Sequence, residues 1–395
     1  MKSTSRLFAI TLAAALFALT GAAWAQGGEN GAPELVLNPY ADVDWETFEH
    51  HKAALHTHTL QSDGHHPLEE VLQAYHGLGF TILAITDHDT HEPNEDTPYP
   101  DPEPDDYPAN TTWPWSDYGA PAPEELGMVG IEGNELSDRH HMNSLYNGYG
   151  VLDRDKDEDE QLFEVRDLAG LAFLNHPGID ADWWTRQPVE WYAERFEAHG
   201  PEYLAGIEVT NCSVETEKYD EGLWDQLLAR FMPERPIWGF GTDDMHQLAD
   251  VRESHSVFVV DQLTDESVRE AMEDGQFYFR KSSRRNDLRE RAPADELFPL
   301  IHAIDVDEDA GVITVDASNY DVIQWITAPE SLEPVADYET SNEPWPLGQV
   351  VHEGAALNYR ETPELDRYVR VELHREDGEE IYRTFTNPFG FASPE

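Results

Sequence analysis

The chain has 395 residues, 39% hydrophobic and 11% aromatic, enough apolar material for a large domain and a smaller one and too much for wholesale disorder. Its 80 acidic against 25 basic residues give a formal charge of −55, a field that repels polyanions and argues against binding along a nucleic-acid backbone. The acids spread through the whole chain, which favours a solvated acidic surface, as in salt-adapted proteins, over a local acidic tail.

In chain order, Lys2 and Arg6 precede an apolar run from Leu7 to Leu19, and Ala23-Trp24-Ala25 places small residues where a signal peptidase reads. Residues 1–25 therefore read as a cleavable secretory signal, with export to the periplasm or the medium and no stable membrane anchor; a retained anchor is the alternative. Cys212 is the only cysteine, so no internal disulfide is expected, and stability must come from the core and from bound metal. Residues 26–44 are rich in Gly, Pro and Asn and read as a linker. Strands are expected at 52–60 and 80–88, around a helix over Pro67–Gly77 whose Leu68, Val71, Leu72 and Tyr75 share one face. Residues 91–125 form a long Pro-, Asp- and Trp-rich loop, and Trp113 and Trp115 favour an ordered lid.

Strand-like segments then alternate with helical ones. Val129–Ile131, Leu171–Leu174, Leu204–Val209 and Pro236–Phe240 read as strands, and Glu190–Ala198, Trp224–Phe231 and Ser267–Glu273 as helices. This β-then-α order over 45–292 predicts an α/β barrel or a doubly wound sheet. Residues 293–395 change character. Gly311–Val315, Tyr320–Ile326 and Tyr368–Leu373 alternate as short strands and predict a small all-β, sandwich-like domain. The basic run Arg280–Arg285 reads as a domain-junction surface.

The chemistry lies where ligand-type residues fall. His56 and His58 alternate on a strand and so share a face. Other predicted strands end in Asp87-His88-Asp89, in Glu135 with His140 and His141 following, in His176, and in Asp243-Asp244-Met245-His246. In an α/β barrel such ends converge on one face, where active sites sit. Nitrogen and carboxylate donors without cysteine suit Zn, Mn or Fe better than Ca or Mg, and they are too many for one tetrahedral ion, so two or three divalent ions are expected.

His56-Thr-His58, Ser62-Asp63-Gly64, Ile85-Thr-Asp-His88, Gly133-Asn-Glu135, Asn175-His-Pro177 and Asp244-Met-His246 resemble, in order and spacing, the PHP (polymerase and histidinol phosphatase) family over residues 52–250. The resemblance implies a distorted (β/α)7 barrel with a trinuclear centre: His56, His58 and Asp244 on one ion, Glu135 bridging to a second with His141 and His176, and a third on Asp63, His88 and His246. Either His140 or His141 can fill one of these positions; His141 is preferred because an apolar residue follows it, as in the family. Asp243 is expected behind the ligands. Glu208 either lines the pocket or is structural, and His65 and His66 either touch substrate or belong to a solvated loop. Arg139, beside the ligands, is a candidate phosphate clamp whose alternative is a surface ion pair.

These features predict hydrolysis of a small-molecule phosphoester by a metal-bridging hydroxide in line with the leaving group. A carbamate, ester or amide hydrolase of the same fold is the nearest rival, since exported two-domain proteins of this outline include carbamate-ester hydrolases. An amidohydrolase barrel also opens with His-x-His, but no metal-bridging Lys is found at a predicted strand end. A binding module with a structural metal would leave the nine ligands unexplained.

Overall fold

In the computed structural model the described residues are 33–89, 111–137, 139–150, 156–179, 186–211, 217–283, 294–328 and 347–392. The expected signal, Cys212 and part of the 91–125 loop lie outside them. The first half runs β1 (Glu34–Leu37), β2 (Glu49–Ala54), α1 (Leu68–Gly77), β3 (Phe80–Ala84), β4 (Val129–Ile131), β5 (Gly133–Leu136), β6 (Met142–Leu145), α2 (Glu158–Asp167) and β7 (Leu171–Leu174). It continues with α3 (Val189–Ala198), β8 (Leu204–Thr210), α4 (Glu217–Phe231), β9 (Trp238–Gly241), β10 (Ser254–Val260), α5 (Asp265–Asp274) and β11 (Phe277–Ser282). The remainder is all β: β12 (Leu300–Asp307), β13 (Val312–Ser318), β14 (Val322–Thr327), β15 (Gln349–Glu353), β16 (Ala356–Asn358), β17 (Tyr368–Asp377), β18 (Glu380–Thr386) and β19 (Phe389–Ala392). Among the described residues no helix is long and apolar enough to cross a membrane.

Local sequence accounts for the helices. α1 buries Leu68, Val71, Leu72 and Tyr75, the face its periodicity predicts, and Pro67 caps it because proline needs no N–H there. α2 begins in a capping box between Asp157 and Glu160. α5 is capped by the Thr264 side chain and ends at Gly275, whose φ of 73° is left-handed backbone that glycine tolerates.

The fold is mixed α/β, but the expected (β/α)7 barrel does not appear as a closed ladder. Among the described residues, β2, β3 and β4 run parallel in one sheet, while β5 to β9 form a second. The chain crosses between them at Glu132, the single residue separating β4 from β5. β5 and β6 then turn back antiparallel, which interrupts any parallel ring. Two isolated bridges join the sheets: Thr57 to Met245, each flanked by ligand residues, and His88 to Glu135, both ligand residues themselves.

The first sheet does not end with the α/β half. β10 pairs with β2 and β11, and β11 pairs antiparallel with β18, so one sheet runs on through β18 and β17 to β19. β1 pairs with β19, so the 26–44 segment expected to be a linker holds a strand. Its Glu-Leu-Val-Leu stretch is short, and what stabilises it is a partner near the other end of the chain. The sheet β12-β13-β16 shares a core with this long sheet, including Ile304, Ile313, Trp325, Leu357, Val371 and Leu373 together with Val257 and Val259 of β10. Each such side chain contributes roughly 1.5–3 kcal/mol when fully buried.

A buried ion network fastens α4 to the C-terminal strands. The Arg370 guanidinium grips Asp225 through Nε at 2.7 Å and a terminal nitrogen at 2.9 Å, and its third nitrogen meets Glu372. Tyr368 Oη and the Gly348 N–H complete Asp225 at 2.8 and 2.7 Å. In the basic run, Arg280 and Lys281 are buried, and residues 284 and 285 lie outside the described range.

Candidate metal centre

The candidate site forms where the ends of β2, β3, β5, β7 and β9 meet. His56 and His58 follow β2, with ring centroids 5.0 Å apart and both side chains fully buried. The next turn is shaped by Asp87, which accepts from Thr59 N (2.6 Å), Thr59 Oγ1 (2.7 Å), Ser62 Oγ (2.8 Å) and Thr112 Oγ1 (2.5 Å). That turn delivers Asp63. Gly64 follows because a Cβ there would lie 2.6 Å from the backbone of His58 and Thr59. His176 and Asp244 hold left-handed backbone, at φ 25° and 48°, which costs about 1–3 kcal/mol per residue and recurs at functional sites.

Glu135 is the hub. Its Oε1 lies 3.2 Å from His56 Nε2, 3.1 Å from His141 Nδ1 and 3.2 Å from His176 Nε2, and its Oε2 lies 2.9 Å from His88 Nδ1. Asp244 Oδ1 stands 3.2 Å from both His56 Nε2 and His58 Nε2. Asp63 stands 3.2 Å from His246 Nε2 and 3.5 Å from His88 Nε2. The donors fall into four overlapping groups: His58, Asp63, His88 and His246; His56, His58 and Asp244; His56, Glu135 and His176; His88, Glu135 and His141. All nine residues named from the sequence as ligands belong to one or more of these groups.

The residues fit divalent ions. His56 Nε2, His58 Nε2, Asp63 Oδ1 and Glu135 Oε2 are buried and lack a hydrogen-bond partner, although all point into the cluster. Two ligands each about 2.1 Å from one ion stand roughly 3.0–3.4 Å apart, close to the spacing of these nitrogen–oxygen pairs. Burial and then the neighbouring His246 and His88 push the His58 imidazole down to about 3, keeping one ring nitrogen unprotonated and able to bind a cation. Burial works against a charged His88, but Glu135 and Asp63 outweigh it and hold its imidazolium up to about 10. Glu135 is likewise held well below the usual carboxylate range, its burial overcome by His56, His141 and His88. The cluster is sealed at Glu135 and opens at Asp63 and His246, whose side chains are 41% and 31% exposed.

Behind the ligands, Glu208 settles the role the sequence leaves open. Its Oε1 accepts from His56 Nδ1 (2.6 Å) and Thr242 Oγ1 (2.6 Å), and its Oε2 from His176 N (2.7 Å) and Asn211 Nδ2 (3.1 Å). It therefore orients His56 so that Nε2 faces the cluster, as carboxylates do behind metal-binding histidines. Asn175 donates to Glu135 Oε1 at 2.7 Å, an amide that sequence alone marks only as the neighbour of His176. Asp243 points away from the ligands and accepts from Arg252 N, Ser254 N and Tyr75 Oη, bracing the end of β9.

His141 faces Glu135, whereas His140 is held by the His141 carbonyl and Tyr192 Oη and stacks on Trp191. His66 meets Glu70 at 3.0 Å, and the His65 N–H donates to the His246 carbonyl. Arg139 adjoins the ligands in sequence only. Its side chain is exposed and donates to the Lys156 carbonyl at 3.1 Å, so in this structure it does not reach the cluster.

No family model and no curated protein matches the chain. Among solved structures, a lesion-specific endonuclease from Pyrococcus furiosus is similar at 13% identity over 57% of this chain and 56% of its own, with a TM-score of 0.36. A putative metal-dependent phosphoesterase from Bifidobacterium adolescentis is similar at 15% identity over 56% of this chain and 96% of its own, with a TM-score of 0.35. A two-domain protein from Bacteroides vulgatus, described as containing a predicted PHP-like metal-dependent phosphoesterase, is similar at 17% identity over 88% of this chain and 95% of its own, with a TM-score of 0.48.

Proposed function

We propose that this chain is an exported metal-dependent hydrolase, a phosphoesterase of small molecules with a trinuclear centre of the PHP type. The observation that carries the reading is the Glu135 carboxylate, with nitrogens of His56, His88, His141 and His176 all within 3.2 Å. The motif order His-x-His, Ser-Asp-Gly, Thr-Asp-His supports it, as do the two bridges that join the sheets beside the ligands. His56, His58 and Asp244 would hold one ion, Glu135 with His141 and His176 a second, and Asp63, His88 and His246 a third. Bound divalent ions of Zn, Mn or Fe would supply an acidified water and offset charge on the transferring group.

The protein's own part is positioning. Glu135 and Glu208 fix the buried imidazoles, and the exposed edges of Asp63 and His246 provide the side from which substrate arrives. The −55 charge favours a small substrate over a phosphorylated polymer. Metal analysis of the purified protein, followed by a panel of phosphomonoesters, phosphodiesters and carbamate esters, tests the reading. Turnover of phosphoesters with two or three ions per chain is expected. Turnover of carbamate esters alone would move the chain to the rival hydrolase, and full metal loading with no turnover would reject an enzyme.

A further inference from the structure

A second polar cluster lies away from the metal centre, on the face of β2, β10 and β11 that meets Phe298. His255 of β10 and Arg280 of β11 are direct cross-strand partners. The His255 ring is fully buried between Phe80 and Phe298, at centroid distances of 5.4 Å each. Arg280 is 6% exposed, lies against the Tyr278 and Phe298 rings, and makes one hydrogen bond, from a terminal nitrogen to Tyr278 Oη at 3.2 Å. Among the described residues no carboxylate stands within 4.0 Å of it. Lys52 and Arg252 flank the cluster, and Asp295 Oδ2 is already engaged by them at 2.8 and 3.6 Å.

Several of the molecule's unmet valences fall in this one place. Arg280 Nε, both ring nitrogens of His255 and Asp295 Oδ1 are buried without a partner. Buried polar groups in folded proteins are almost always satisfied, so orphans gathered together call for an ordered water or an ion. A water would accept from Arg280 and leave its charge uncompensated in an apolar surround, which is the costly arrangement. An anion would accept from Arg280 Nε and from the one N–H of His255 and would offset the guanidinium charge, while Asp295 Oδ1, itself an acceptor, gains nothing from it. The cations around His255 are Arg280, Lys52 and Arg252 against the single carboxylate of Asp295, so this pocket of charge is positive in a chain whose net charge is −55.

We infer that Arg280, His255 and Lys52 frame a buried site for a small inorganic anion, and that its occupant is chloride. The aromatic walls and the loss of solvent contact at Nε suit a compact, weakly hydrated ion better than a tetrahedral oxyanion. Such an ion would tie β10 and β11 to the turn that carries Asp295 and Phe298.

The test uses the full-length, metal-loaded protein in sodium chloride, sodium sulfate or sodium gluconate at equal ionic strength, so that screening of the surface charge is matched. Thermal unfolding should rise by about 3 °C or more in chloride over gluconate and saturate with concentration. Arg280→Met should abolish that difference. In crystals of the unaltered protein soaked in bromide, anomalous density should appear beside Arg280 Nε, a readout that does not depend on the variant folding. Equal melting in all three salts with no bromide density would overturn the inference. So would a chloride effect that persists in Arg280→Met, which would place the ion at the metal centre, and a rise in sulfate alone would overturn chloride as the occupant.

Discussion

The molecule buries charge in two contrasting ways. Around Arg370, each charge meets its opposite within the chain: Asp225 takes two guanidinium nitrogens, a tyrosine hydroxyl and a backbone N–H, and Glu372 takes the third nitrogen and His374. Around Glu135, imidazoles crowd the carboxylates, yet buried atoms of His56, His58, Asp63 and Glu135 have no hydrogen-bond partner. The first network is closed and serves cohesion. The second is complete only when something enters it, and that difference separates a structural charge cluster from a receiving one.

Substitutions can break this contrast or sharpen it. The largest effect is expected for Glu135→Gln, which removes the shared carboxylate. Hydrolysis should fall about 10⁴-fold or more, equivalent to about 5.5 kcal/mol, with loss of bound metal by elemental analysis. The metal-free protein should lose far less stability than Arg370→Met does. That second variant leaves Asp225 and Glu372 buried without their cation and should destabilise by about 3–5 kcal/mol in urea unfolding, with metal content unchanged in the folded protein. If the two variants exchanged these phenotypes, the contrast would be wrong.

Glu208→Gln sits between the two regimes. It keeps the shape but places an amide donor against either His56 Nδ1 or His176 N, so metal affinity should drop about 10–100-fold in competition with a chelator. Unchanged affinity would make Glu208 a plain structural residue. A smaller effect is expected from acid. Burial alone would raise the Glu372 carboxyl, but Arg370 outweighs it and holds the group well below the usual range. An unfolded Glu titrates near about 4.3, so this contribution is whole above that pH and fades as pH falls toward the folded value. Urea midpoints measured from pH 6 down to pH 3 should fall more steeply in the wild type than in Glu372→Gln. The smallest effect belongs to Arg139→Ala, whose exposed side chain should change KM by less than about twofold. A tenfold rise would reinstate it as a phosphate clamp.

What could be read from sequence follows from range. His56-Thr-His58 and the helix face of Leu68, Val71, Leu72 and Tyr75 are local patterns, and they are where the spacing puts them. The convergence of His88, Glu135, His176 and Asp244 was legible because each follows or ends an apolar strand-like run. The choice between His140 and His141 needed Tyr192 and Trp191, about 50 residues onward, to show which ring is already occupied. Glu208 was opaque for the same reason, since its partner His56 lies 152 residues away. The mixed α/β class was legible, but the antiparallel turn of β5 and β6 was not, because four-residue strands carry no mark of direction. Strand β1 was missed because four residues amid Gly, Pro and Asn look like tether until the partner strand is known.

That partner arrives late. β1 pairs with β19, and Tyr40 Oη takes the Asn387 N–H from 347 residues away. At about 5–20 residues per second, a ribosome needs roughly 20–70 s to make what lies between. For that interval the first strand has no edge to join, and the long sheet lacks β17, β18 and β19, which lie between β1 and β11. Final closure of this edge is thus deferred until β19 has been made, and every earlier element must hold together without it.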